Sequence, residues 1–330
     1  MKKKKITLGL LGCGTVGGGL VDLLRKNRDH IRRSTGVDLT LKRVLVTDIE
    51  RKRRVDRALL TTDPKAILDD SEIDIVVETI GGLSPAGEFV ATALDRGKNV
   101  VTANKALLAT KGIDLFRRAR RHGLRIGFEA SVCGGIPIIR AIRDGLCANR
   151  IVKLVGILNG TSNFILTRMS RGGIGFAEAV EEAKRKGFCE QDPTLDISGR
   201  DAAQKLAILA GIALGAYVSD KDILVEGIEE TDPDDIAFAA KLGYVIKHVA
   251  IAAREHNGLD LRVHRSLLPA RHPLAGVDGE ENGVVLEGDA VGGLTFIGKG
   301  AGSLPTASAV LSDIVEIASG RVGALHLPPL

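Results

Sequence analysis

Two residues four apart, Asp201 and Lys205, offer a carboxylate and an amine on one face of a helix. They lie in the stretch EQDPTLDISGRDAAQKLAILAG, which opens with Glu190, Asp192, Pro193 and Asp196 and passes through Ser198 and Gly199 into an apolar helical run. The opposite pattern, Ala202, Leu206, Leu209 and Ala210 with Ile212 and Ala213 beyond, can sink into a core. Such a helix can hold a small zwitterion and move a proton; taken alone, an ordinary ion pair on a solvated face is the better explanation of the spacing. A second candidate, Lys105 behind Asn104 in VVTANKALLA, stands where a strand turns into a helix and can bind a carboxylate or touch a reacting centre. A third is the polar corner Asn159, Gly160 and Thr161, whose groups can hydrogen-bond a small polar ligand.

The elements that must position these residues begin with an apolar strand, Ile6 to Leu11, running into G-x-G-x-x-G at Gly12, Gly14 and Gly17 and then into the helical pattern Val16, Leu20, Leu23, Leu24, Ile31. Strand, glycine turn and helix in that order are what a dinucleotide site requires. The first glycine makes the tight turn, the second lets backbone approach a pyrophosphate, and the third lets helix and strand pack closely. A second strand, Leu39 to Val46, ends near Asp48, an acid suited to ribose hydroxyls; Arg51 and its basic neighbours suit a 2′-phosphate instead, so NAD and NADP both stay open. Ile73 to Thr79 reads as a further strand, and Gly81 and Gly82 after it admit close backbone approach. A helix (88–96), a strand (Asn99 to Thr102), a helix (Gly112 to Arg121) and a strand (Leu124 to Glu129) continue the alternation. Past residue 150 it changes: a strand within 152–166, a charged helix over 177–186, strands at Gly243 to Ala252 and Asn282 to Leu286, and a closing helix introduced by Pro305.

The expected fold is therefore α/β. A Rossmann-type doubly wound parallel sheet takes residues 1–130 plus 300–330, and a second α+β domain for substrate binding and dimerisation takes 131–299. Composition narrows the function. The net charge of +5 admits nucleic acid, but aromatics are 3% with no Trp, and no nucleic-acid motif is present, so that partner is not expected. No apolar run approaches a membrane span and the basic start passes directly into the glycine loop, so a cytoplasmic protein is expected. Cys13, Cys133, Cys147 and Cys189 have no metal spacing and suit a reducing compartment.

The segments GLLGCGTVG, VVETIGG, VVTANKALLA, EASVCGGIPII, GILNGTSNFIL, GFCEQDPTLDISGRDAAQK, HPLAGV and GAGSLPTASAV, in that order, resemble the homoserine dehydrogenase family over nearly the whole chain. The glycine loop is common to many dehydrogenases; the D-P-x-x-D-x-x-G-x-D-x-x-x-K and N-G-T-x-N patterns are far more specific. The resemblance implies reversible NAD- or NADP-dependent interconversion of L-aspartate 4-semialdehyde and L-homoserine, a step toward threonine, methionine and isoleucine, by a homodimer. It implies Lys205 and Lys105 as catalytic, and Glu190, Asp201, Asp196, Gly160 and Thr161 as substrate-binding. The cofactor set it implies is Gly12, Gly14, Thr15, Val16, Gly17, Asp48, Arg51, Thr79, Gly81, Gly82, Thr102, Asn104, Lys105 and Gly300. A monovalent cation, Na or K, would be held mostly by backbone oxygens around Glu129, Val132, Gly134 and Ile136. Cys133 stands where the family usually has glycine, and Phe164 where tyrosine is common. No appended ligand-sensing domain is expected, hence no threonine feedback through one. Two rivals are an enzyme for another amino-acid semialdehyde and an NAD(P)H-sensing regulator without turnover. The lysines and the Asp201–Lys205 pattern weigh against both.

Overall fold

The structure, a computed structural model, describes residues 4–189 and 191–320. It separates into two compact units: one reaching to Pro137 and resuming at Gly302, the other formed by Ile138–Ala301.

The first unit opens with β1 (Lys4–Leu11), α1 (Thr15–Thr35), β2 (Val37–Leu45), β3 (Leu60–Thr61), α2 (Lys65–Leu68), β4 (Ile75–Glu78), α3 (Ala86–Asp95), β5 (Asn99–Thr102), α4 (Lys105–Arg121) and β6 (Ile126–Gly127). Its sheet has the order β3-β2-β1-β4-β5-β6, with every pairing parallel. The order reverses direction between β1 and β4, and in such sheets the ligand crevice lies beyond the strands' carboxyl ends at that switch point. Strands buried on both faces read as apolar runs: β4, IVVE, is buried throughout. One face of the sheet packs Leu20 and Val21 of α1 with Val310, Leu311 and Ile314 of the chain's last described helix, Ser303–Ser319. The other packs Val90 and Leu94 of α3 with Leu107 and Leu115 of α4.

The short elements β3 and α2 are absent from the pattern reading, and two of its boundaries differ. Helix α4 starts at Lys105, not Gly112, because the Asn104 side chain accepts the Leu107 N–H at 3.0 Å and caps it, and Gly112 is tolerated inside. The strand expected over Leu124 to Glu129 is only Ile126–Gly127, followed by a 3-10 turn at Glu129–Ser131.

The second unit holds α5 (Ile138–Arg140), which runs into a π-helical turn at Ala141–Gly145, then β7 (Ile151–Ile157), α6 (Gly160–Gly172), α7 (Phe176–Arg185), α8 (Thr194–Ile197), α9 (Arg200–Leu214), β8 (Leu224–Val225), α10 (Pro233–Lys241), β9 (Tyr244–Glu255), β10 (Gly258–Pro269), β11 (Glu281–Gly288) and β12 (Gly292–Lys299). The sheet order is β12-β11-β7-β9-β10-β8, antiparallel except between β10 and β8. Strands β10 and β12 have no counterpart in the pattern reading; β10 shows no clear period of two, and β12 alternates only between half-buried and exposed residues. Ala202, Leu206, Leu209 and Ala210 of α9 are buried as their spacing requires, whereas Ile212 and Ala213 stay half-buried.

Candidate active site

At the carboxyl end of β1, Gly12 turns the chain with φ +92°, a left-handed value that suits glycine. Its N–H donates to the Leu45 carbonyl at 3.1 Å, and its own carbonyl accepts the Thr79 hydroxyl at 2.9 Å. A Cβ on Gly17 would stand 2.4 Å from that same carbonyl, so only glycine lets α1 close on the turn. A Cβ on Gly14 would meet nothing within 4 Å, and Gly14 caps α1 with no side-chain bond to its first N–H groups. Uncapped amides at a helix N-terminus, facing open space through Thr15 and Val16, form a cradle for an anion. The residues present therefore fit a dinucleotide pyrophosphate.

Around this cradle, Asp48 closes an exposed turn: one carboxylate oxygen accepts the Glu50 and Arg51 N–H groups at 2.8 and 3.3 Å. The candidate acid and Arg51 thus share one turn after β2. Arg53 donates to the Asp48 and Arg51 carbonyls, and Arg54 pairs with Asp22 at 3.2 Å. At β4, sequence reasoning missed Glu78. It is fully buried, and its carboxyl accepts the N–H groups of Ile80 and Gly81 at 2.8 and 2.9 Å and the Thr102 hydroxyl. Thr102 in turn accepts the Asn104 N–H at 3.0 Å, and the Asn104 amide donates to the Gly82 carbonyl at 2.7 Å. This chain of bonds fixes Gly81 and Gly82, where a side chain would project into open space, and sets the start of α4 with Lys105, half-buried at its first position. An acid closing an apolar strand is the signal that marks Glu78 in the sequence.

The segment proposed for a cation is buried at Glu129, Val132, Gly134 and Ile136. Cys133 and Gly134 take left-handed φ values of +53° and +47°, and the Ile136 N–H returns to the Cys133 carbonyl at 2.9 Å. Among the described residues no group of three or more His, Cys, Asp or Glu is placed to hold a metal.

In the second unit β7 ends at Ile157, and Leu158 and Asn159 lead into α6. The Asn159 side-chain oxygen accepts the Ser162 N–H at 2.7 Å and caps the helix. Its amide nitrogen donates to Asp196 at 2.7 Å and to Asp201 at 2.8 Å. Lys205 Nζ donates to the same Asp201 Oδ2 and to the Leu158 carbonyl, each at 2.7 Å. The side chains of Asp201 and Lys205 are only 6% and 12% exposed, which removes the reading of a solvated surface pair. A buried ion pair adds little stability on balance, while losing one partner leaves a buried charge uncompensated. Burial also pushes the Asp196 carboxyl above its ordinary pKa, partly offset by the Asn159 bond. Thr161 donates to the Phe188 carbonyl at 2.8 Å, and a Cβ on Gly160 would lie 2.6 Å from the Glu280 carbonyl, so this corner is tightly held.

The fully buried Asn282, also missed, donates its amide to the Leu158 carbonyl at 3.1 Å; a Cβ on Gly300 would lie 2.1 Å from its Cγ. Nothing in the sequence singles it out. Glu190 lies outside the described residues. Asp192 serves as a turn former, accepting the Thr194 N–H at 3.0 Å. Burial raises the Cys13 and Cys189 thiols above their usual pKa, which disfavours reactive thiolates. No helix among the described residues is long and apolar enough to cross a membrane.

Comparison with known proteins agrees with this geometry. The family model for homoserine dehydrogenase matches residues 137–315, and that for the homoserine dehydrogenase NAD binding domain matches residues 12–129. Homoserine dehydrogenase of Bacillus subtilis is 45% identical over 95% of this chain and 73% of its own length. The crystal structure of a homoserine dehydrogenase from Thiobacillus denitrificans superposes with a TM-score of 0.95 at 48% identity, covering 99% of this chain and 78% of that one. A hyperthermophilic archaeal homoserine dehydrogenase in complex with NADPH gives 0.82 at 26% identity, covering 98% and 100%. With an NAD-binding unit of parallel strands and a second unit carrying the buried Asp201–Lys205 pair, the chain belongs to the homoserine dehydrogenase family.

Proposed function

We propose that this protein catalyses the reversible NAD(P)-dependent reduction of L-aspartate 4-semialdehyde to L-homoserine, and that Lys205 moves the proton. The observation that carries the reading is the buried ammonium of Lys205 held on Asp201 and on the Leu158 carbonyl. A nicotinamide cofactor, when bound, supplies or takes up the hydride. As charge develops on the aldehyde oxygen, the Lys205 ammonium stabilises it and delivers a proton; in the reverse direction neutral Lys205 accepts the hydroxyl proton. Lys105 assists at the reacting centre. Asp196, Asp201 and Glu190 recognise the substrate ammonium, while Gly160 and Thr161, in the first turn of α6, favour its carboxylate. In the first unit, Gly12, Gly14, Thr15, Val16 and Gly17 hold the pyrophosphate, and the turn bearing Asp48 and Arg51 meets the ribose end.

The finer parts of the reading follow the family resemblance. The first unit serves as the NAD(P)-binding domain, and the second binds substrate and pairs two copies into a homodimer. The Glu129–Ile136 segment takes a monovalent cation, Na or K, through its carbonyls, and the enzyme works in the cytoplasm on the route to threonine and methionine.

The test is absorbance of reduced nicotinamide with L-homoserine, NAD and NADP being run side by side. The unaltered protein is expected to turn over, and Lys205→Ala to lose roughly a thousandfold in kcat, the scale of a removed general acid–base. Near-normal turnover by Lys205→Ala would overturn the assignment.

A further inference from the structure

Two acceptors of the Lys205 ammonium are themselves held by asparagine amides. Asp201 Oδ2 receives Lys205 Nζ at 2.7 Å and Asn159 Nδ2 at 2.8 Å. The Leu158 carbonyl receives Lys205 Nζ at 2.7 Å and Asn282 Nδ2 at 3.1 Å. We infer that Asn159 and Asn282 are positioning residues for Lys205, fixing its acceptors without adding charge. The inference rests on the proposed role of Lys205.

Both amides are immobilised from behind. Asn159 is anchored by the bond from the Ser162 N–H to its own oxygen and by its second donation, to Asp196. Asn282, near the start of β11, has no exposed surface, and its amide lies flat against Gly300: a Cβ there would come within 2.1 to 2.3 Å of Cγ, Oδ1 and Nδ2 alike. Its oxygen is buried with no hydrogen-bond partner among the described residues, a costly arrangement that an apolar side chain would avoid. The amide nitrogen is what justifies it.

Chemistry accounts for the choice of residue. A cation in either place would repel the ammonium, and a further carboxylate would hold it more firmly, so that it would yield its proton less readily. An amide donates to the acceptor and leaves the charge unchanged. Among the described residues, the charged groups close to Lys205 include Asp201 on its own helix and Asp196 on α8. On β9, packed against α9, His248 touches the Gly199 turn and is held neutral, its pKa lowered to about 4 by burial. The π-helical turn that also packs there carries Arg143, paired with Asp144.

The experiment is the pH profile of homoserine oxidation by the isosteric variants Asn159→Asp and Asn282→Asp, with Asn282→Ala beside them and melting temperature as the check on folding. Each aspartate adds a negative charge beside the ammonium, so the pH at which kcat rises should move up by about one unit. Asn282→Ala should lower kcat about tenfold with cofactor KM unchanged and without that upward move. A packing role alone would lower the melting temperature of Asn282→Ala and leave its kcat at saturating homoserine unchanged, whereas positioning predicts the kcat loss in the folded variant and an upward move of the profile confined to the Asp variants. If Lys205→Ala is inactive while a folded Asp variant keeps the original profile and kcat, the positioning role is wrong. Should one Asp variant fail to fold, the other decides by the same criterion. If Lys205→Ala itself stays active, the fault lies in the proposed function instead.

Discussion

The first unit offers a ligand backbone, whereas the second offers side chains. Around Gly12, Gly14 and Gly17 the surface presented is a turn and the first amides of α1, and the side chains that matter, Thr79 and Glu78, work from behind. Around Lys205 the reverse holds: the polar groups gathered there are the side chains of Asp196, Asp201, Asn159 and Lys205, and backbone contributes the Leu158 carbonyl. The difference matches what each site is asked to do. A pyrophosphate is bound and released unchanged, and fixed dipoles do that without any titrating group. Under the proposed function a proton changes hands at the reacting oxygen, and an ionisable side chain is suited to that.

The comparison breaks most visibly at a glycine. In Gly17→Ala the new Cβ would sit 2.4 Å from the Gly12 carbonyl and 2.9 Å from the Thr79 hydroxyl, so backbone must move. The expected result is a loss of cofactor affinity of at least about a hundredfold together with about 1–3 kcal/mol of stability, the range for overpacking. Calorimetric titration with NADPH and a melting curve check it. Unchanged affinity would mean that the turn does not shape the cofactor site.

A milder substitution sharpens the same contrast from behind the surface. Glu78→Gln keeps an oxygen for Ile80 and Gly81 but places an NH₂ where Oε2 accepts the Thr102 hydroxyl. Thr102 already accepts from Asn104, so its own proton loses a partner. One unsatisfied buried donor costs about 1–3 kcal/mol. Where that strain falls on the Gly81–Gly82 loop, cofactor KM should rise about tenfold with kcat little changed, a difference of about 1.4 kcal/mol. Steady-state kinetics at saturating homoserine measure the split. A fall in kcat alone would place Glu78 in the chemistry rather than behind the cofactor.

What the sequence made legible follows the same division. The parallel sheet and glycine turn could be read because strands buried on both faces are apolar runs and because glycine spacing is local. Asp201 and Lys205 were legible as a pair, four apart on one helix, but not as buried, since that depends on β7 and α8 arriving from 47 and 5 residues away. Asn282 was illegible, because its partner Leu158 is 124 residues distant and the strand between has no unusual pattern. Strands β10 and β12 escaped for a related reason: β10 is half-buried along most of its length without a clear period, and the alternation of β12 is carried by half-buried residues in a glycine-rich run.

The smallest effect tests the backbone argument at its one exception. Cys133 is the non-glycine residue among those described with a positive φ, +53°, and it is fully buried. A left-handed conformation costs a residue with a Cβ about 1–2 kcal/mol. Ordinarily glycine is worse than alanine by about 1 kcal/mol, because it loses more freedom on folding. Here the order should invert. Cys133→Ala keeps the strain and loses the contacts of the sulfur; Cys133→Gly loses the same contacts, together with Cβ, but relieves the strain. We expect Cys133→Gly to be about as stable as the parent and Cys133→Ala to fall below it by about 1 kcal/mol. Paired denaturant melts measure the order. Alanine proving the more stable of the two would show that the turn at Cys133 and Gly134 carries no backbone strain, and that the sulfur's packing alone decides the position.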